Sequence, residues 1–131
     1  MYEQIAFLKS SLLFNQWSMD ELVKMAYAMK KKAYSKGTII FKQGERSEFI
    51  AIVKKGRISV VQKMTNHENK KGIVTLSNAK YVKTKSSSDL IVHIAELGAH
   101  DMFGIVELYR GFKKMKREAL ALTPVEVFLI Q

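Results

Sequence analysis

Residues 34 to 61 read YSKGTIIFKQGERSEFIAIVKKGRISVV, three short apolar runs separated by polar turns, each turn carrying a glycine. The runs Thr38 to Phe41, Phe49 to Val53 and Ile58 to Val61 are rich in β-branched and aromatic residues and too short for helices. Gly37, Gly44 and Gly56 sit where a left-handed backbone or a close approach is needed. Strands recurring at intervals of about ten residues, with glycine turns between them, predict a sandwich or barrel of short antiparallel strands.

The flanking sequence fits one domain over 1–131, with a helical part at 1–34 and a β part at 35–131. Ser18-Met19-Asp20-Glu21 has the S-x-x-E form of a capping box, and Leu22, Met25, Ala26 and Met29 follow at helical spacing. This predicts a helix of about three turns ending around Lys30 to Lys32, with a shorter helical piece before it at Ile5 to Phe14. Leu90 to Leu97 and Val125 to Ile130 read as strands. The stretch from about 64 to 89 is polar and lysine-rich, with weaker strand signals at Ile73 to Leu76 and Tyr81-Val82. It reads as an insertion or long hairpin.

The chain carries 22 Lys and Arg against 12 Asp and Glu, a formal charge of +10, which favours anionic partners. The bases fall in several clusters, Lys30 to Lys32, Lys54 to Arg57, Lys80 to Lys85 and Arg110 to Arg117, so charge alone does not pick a partner. With no cysteine there can be no disulfide, thiolate metal site or thiol catalysis. His67, His93 and His100 show no ligand spacing and no paired carboxylate, and neither a serine-nucleophile motif nor a phosphate-binding P-loop is present. The expectation is a chain that is not an enzyme. No run approaches the roughly 20 apolar residues of a membrane span, and MYEQIAFLKSSLLF lacks the order of a secretory signal. A cytoplasmic address is expected.

Set in order, these elements resemble the cyclic nucleotide-binding domain. Phe14, Asp20-Glu21-Leu22 and Met25 are similar to that family's opening helix, and the stretch from Tyr34 to Val61 follows its first three strands without a gap. ELGAHDMFG, residues 96 to 104, matches the approach to its phosphate-binding cassette, and ALTPVEVFLI, residues 121 to 130, its closing strand. The resemblance implies a mainly β fold with flanking helices. Short N-terminal helices would precede an eight-stranded antiparallel β-roll of the jelly-roll, double-stranded β-helix type. The family's C-terminal lid helix has no counterpart after Ile130, and the chain is expected to be a piece of a larger protein.

In that family, backbone N–H groups after a Phe-Gly pair take the cyclic phosphate, a glutamate directly after the glycine accepts from the ribose hydroxyl, and an arginine about ten residues later pairs with the phosphate. Phe103 and Gly104 supply the pair here, but Ile105, followed by Val106, stands where the glutamate would be. The arginine's place falls on Lys114 or Met115, depending on the end from which one counts, with Lys116 and Arg117 beside it. Glu107 is expected within the short helix and pointing elsewhere, while Ile105, Phe112 and Met115 are expected to fill the space that relatives leave for ligand.

These substitutions predict a non-catalytic regulatory domain with a degenerate pocket, serving as a regulatory or protein-docking module. The alternative is a functional sensor for cAMP, cGMP or another anion at the Gly104 turn, helped by Lys114, Lys116 and Arg117. Neither reading requires a cofactor; a cyclic nucleotide is the possible ligand. Partners are expected among other domains of the same chain or a protein, with no sequence-specific DNA binding and no membrane span.

Overall fold

The structure is a computed structural model, and it describes residues 1–64, 80–83 and 90–131. The N-terminus forms two helices, α1 (Tyr2–Lys9) and α2 (Met19–Ala28). The capping box closes α2 at its start: the Glu21 N–H donates to Ser18 Oγ at 3.3 Å, and the Ser18 N–H donates to Glu21 Oε1 at 3.1 Å. The helix ends sooner than its apolar spacing implies. Met29 is already extended, and the lysine run belongs to strand β1 (Met29–Tyr34) rather than to a helix end.

Eight further strands follow among the described residues: β2 (Ile39–Phe41), β3 (Ile50–Lys55), β4 (Ile58–Met64), β5 (Lys80–Lys83), β6 (Leu90–Leu97), β7 (Met102–Phe103), β8 (Glu118–Ala121) and β9 (Val125–Ile130). They make two antiparallel sheets, one ordered β1-β9-β3-β7 and the other β2-β8-β4-β6-β5. The short antiparallel strands are those expected from the glycine-turn spacing, and their two sheets form the β-roll that the resemblance implies, with nine strands rather than eight among the described residues. The segment read as an insertion contributes β5, which pairs with β6 from Lys80↔His93 to Lys83↔Leu90. The strand signal at Ile73 to Leu76 and the serine triplet Ser86 to Ser88 lie outside the described residues.

Sheet position explains the sequence of each strand. β3 and β9 lie inside the first sheet and are buried on both faces, hence their continuous apolar runs. Their inner residues, Ala51, Val53, Val125 and Val127, join Ile58, Val60, Phe103, Met115, Ala119 and Ala121 in the core of the roll. Their outer residues Ile52 and Phe128 pack with Leu8, Phe14, Leu22, Ala26 and Met29, docking the helices on the back of the sheet. β1 is the edge strand, and exposed Lys30, Lys31 and Lys32 there discourage pairing with another chain. One of these lysines, with a base from β3, fastens α1: Glu3 bonds Lys54 of β3 and, at 3.2 Å, Lys31 of β1.

Candidate functional site

β7 delivers buried Phe103 to a turn that only glycine fits. Gly104 has φ 94°, and a Cβ there would stand 2.7 Å from the Phe49 carbonyl oxygen. The chain then makes a helix of six residues, α3 (Ile105–Arg110), closed by Gly111 at φ 72°. The Phe112 N–H donates back to the Glu107 carbonyl at 2.9 Å. After α3 the backbone runs antiparallel to the β2–β3 turn: Ser47 N–H donates to Lys113 O at 2.9 Å, Met115 N–H to Glu45 O at 2.7 Å, and Gly44 N–H to Met115 O at 2.9 Å. Both ends of the short helix are thus fixed, and so is its rotation about its axis.

That rotation turns Glu107 inward. It is the one acid between Gly104 and Arg117, among five bases, and its side chain is 1% exposed. Oε2 accepts the Lys116 N–H at 3.3 Å, and Oε1 accepts from the Arg117 guanidinium at 3.4 Å. The guanidinium lies 5.2 Å from the centre of the Phe103 ring, which packs in turn against Phe41 in a tilted pair with centroids 5.3 Å apart. A main-chain N–H and a guanidinium therefore converge on one carboxylate beside the Phe-Gly turn. They are the two kinds of donor that a cyclic phosphate would require.

The expectation that Glu107 points elsewhere is corrected: it is the most buried charged side chain among the described residues. Of Ile105, Phe112 and Met115, expected to fill the space that relatives leave for ligand, only Met115 is buried. Met115 is 2% exposed in the roll core, whereas Ile105 is 43% and Phe112 37% exposed. Val106 is exposed as well. Of the three candidate cations Lys114, Lys116 and Arg117, only Arg117 brings its side chain to the buried carboxylate. Lys114 is exposed and bridges Arg46 through its backbone, and Lys116 Nζ lies 5.0 Å over the Phe112 ring. Lys113, Lys114 and Arg46 line a hollow of about 610 Å³ on the outer side of α3, together with Ser47, Leu108, Gly111 and Phe112. Glu107 and Arg117 do not line it.

The signal for Glu107 was present in the sequence as a lone acid inside a basic run. A six-residue helix, however, has too little periodicity to say which side faces in. Among the described residues there is no group of three or more His, Cys, Asp or Glu side chains placed to hold a metal ion, and no helix long and apolar enough to cross a membrane.

No family model matches the chain. It is 30% identical over 80 residues to human cGMP-dependent protein kinase 2, a match covering 61% of this chain and 10% of that protein. The chain thus spans about a tenth of the length of the curated relatives it matches. Among solved structures, the regulatory subunit of a cAMP-independent protein kinase A from Trypanosoma brucei superposes with a TM-score of 0.73 at 19% identity, covering 98% of this chain and 39% of that one. The corresponding Trypanosoma cruzi subunit, bound to guanosine, gives 0.73 at 17% identity over 98% of this chain and 38% of that one. The regulatory domain of Toxoplasma gondii protein kinase A with cAMP gives 0.73 at 18% identity over 99% of this chain and 41% of that one. The fold is that of the cyclic nucleotide-binding domains of kinase regulatory subunits.

Proposed function

We propose that this chain is a non-catalytic regulatory domain, the sensing part of a longer signalling protein, whose pocket has stopped answering to cAMP and cGMP. One observation carries the reading. Glu107 holds both the Lys116 N–H and the Arg117 guanidinium, so donors of the kinds a cyclic phosphate needs are already engaged by a carboxylate of the protein itself. A cyclic phosphate entering there would meet a like charge in a dry site, where repulsion is weakly screened. The ribose acceptor is missing as well, since Ile105 can accept no hydrogen bond.

The neighbours in structure support this direction. Two are regulatory subunits of cAMP-independent kinases, and one of those is bound to guanosine, a nucleoside without phosphate. A variant of the T. brucei subunit with a glutamate changed to alanine, a threonine to arginine and a valine to alanine is bound to cAMP in its A site. The domain would act through other domains of its own protein or a docked partner, in the cytoplasm.

Calorimetry with cAMP and cGMP tests the reading on the wild type and on Glu107→Ala. The wild type should give no heat of binding. Glu107→Ala frees Arg117 and the Lys116 N–H for a phosphate and should gain micromolar affinity, with Ile105→Glu adding more. Micromolar cAMP binding by the wild type would sink the proposal.

A further inference from the structure

We infer that the hollow on the outer side of α3 docks an acidic peptide segment of a partner protein. The segment's carboxylates meet Arg46, Lys113 and Lys114, and a large apolar side chain among them lies on Leu108 and Phe112. The inference rests on the proposed reading of the domain as a module that acts through a docked partner, and it gives that partner a surface and a chemistry. Lys31, Lys54, Arg57, Lys63 and Arg117 are each matched with an acid. By contrast, among the described residues Lys113 and Lys114 form no ion pair, and Arg46 makes a single long one, from Nε to Glu48 at 3.8 Å. Glu48 does not line the hollow, and among the described residues no other acid does.

The backbone brings these charges together and holds them. Arg46 and Lys114 face each other in an antiparallel bridge, fixed on either side by the Ser47 N–H bond to the Lys113 carbonyl and the Met115 N–H bond to the Glu45 carbonyl. Three like charges around a concave surface with apolar walls focus a positive field on whatever enters. The volume, about 610 Å³, falls within the range of ligand pockets, roughly 300–1,000 Å³, so there is room for more than a simple ion. The lining then narrows the occupant. Its polar side chains are donors, with the Ser47 hydroxyl the lone side-chain acceptor. A nucleoside, whose sugar hydroxyls and base amino groups need acceptors, is poorly served there, and an inorganic phosphate leaves Leu108 and Phe112 bare. Acidic and apolar side chains on one peptide match both parts of the surface. The apolar part also runs on past the hollow, because exposed Ile105 lies one turn before Leu108 on the same face of α3. That extension suits an extended chain rather than a compact molecule.

The test is fluorescence anisotropy of the wild-type protein with labelled peptides of about twelve residues, half of them Asp and Glu, with one Phe, Leu or Trp at the centre and Gly and Ser elsewhere. At least one should bind with a Kd of about 100 μM or tighter in about 50 mM salt, and more weakly as salt is raised. Lys113→Gln with Lys114→Gln should weaken the best peptide about tenfold, and Leu108→Ser about fivefold, both proteins melting near the wild-type temperature because these side chains are exposed. Lys9→Gln with Lys24→Gln removes as much charge from exposed positions on α1 and α2 and should change affinity by less than about twofold. Four results would overturn the inference. They are no binding of any peptide up to about 1 mM, equal losses in the two lysine pairs, undiminished binding when Ser replaces the central apolar residue, and tighter binding of phosphatidylserine vesicles or inorganic phosphate through Lys113 and Lys114. If no peptide binds while Glu107→Ala gains cAMP affinity, the reading of the pocket stands and the docking inference alone fails. If the wild type binds cAMP and also an acidic peptide through Lys113 and Lys114, the reading of the pocket fails and the docking surface stands.

Discussion

Glu107 and Arg117 face each other from opposite ends of the loop after β7, with carboxylate and guanidinium 3.4 Å apart and the acid shut off from water. The partners are unequal: Glu107 is 1% exposed and Arg117 25%, so the burial falls almost wholly on the acid. Removing the base should therefore hurt more than neutralising the acid. Arg117→Ala leaves a buried carboxylate with one main-chain donor and should cost about 2 kcal/mol in urea unfolding, and Glu107→Gln clearly less. Equal costs would mean that the pair contributes through packing and not through charge.

Gly104 aims the loop. Gly104→Ala combines a left-handed backbone with a Cβ 2.7 Å from the Phe49 carbonyl, so the β7–α3 turn must move. The expected loss is about 2 kcal/mol or more, together with any ligand response. A Gly104→Ala protein with wild-type stability would show that the turn has room to relax.

Met115 separates core from site. Its side chain lies among Ala51, Val53 and Phe103, so Met115→Ala should cost about 2–4 kcal/mol through the cavity it leaves. Ligand affinity measured on the folded fraction should change little. Abolished binding in a folded Met115→Ala protein would place Met115 in the site.

Acid should loosen the N-terminal helix. Bonds from Lys54 first and Lys31 second hold the Glu3 carboxyl below its ordinary value of 4.5. A depressed folded-state value stabilises the protein above the unfolded value, and that stabilisation is lost as pH falls through the folded one. Melting temperatures of wild type and Glu3→Gln should differ by a constant amount above about pH 5 and converge by about pH 3, the gap being small and salt-sensitive because the cluster is exposed. A gap that persists into acid would point to helix packing and not charge.

Strands whose composition matched their burial were legible in the sequence; strands placed by their neighbours were not. β2, β3, β4 and β6 could be read because apolar β-branched runs adjoin glycine turns, and β9 because its apolar run follows Pro124. β1 is Met-Lys-Lys-Lys-Ala-Tyr, whose lysines are those of an exposed edge, and it extends because β9 offers it a hydrogen-bonding partner. β8 is Glu-Ala-Leu-Ala, a helix-favouring composition that becomes a strand between β2 and β4. Its buried Glu118 is met by Lys63 at 3.5 Å and by the Gln43 N–H at 3.3 Å, partners distant in sequence. The cassette was located from ELGAHDMFG, residues 96 to 104. The orientation of Glu107 depends on the backbone pairing of residues 113 to 115 with the β2–β3 turn, which no local pattern encodes.

The pairing of β1 with β9, from Met29↔Ile130 to Tyr34↔Val125, joins the first strand of the roll to its last. During synthesis β1 must wait on the ribosome, unpaired, until nearly a hundred further residues have been added. Closing so long a loop is slow and entropically costly. The waiting edge carries three lysines, and their mutual repulsion keeps nascent copies on one polysome from pairing with each other before β9 emerges.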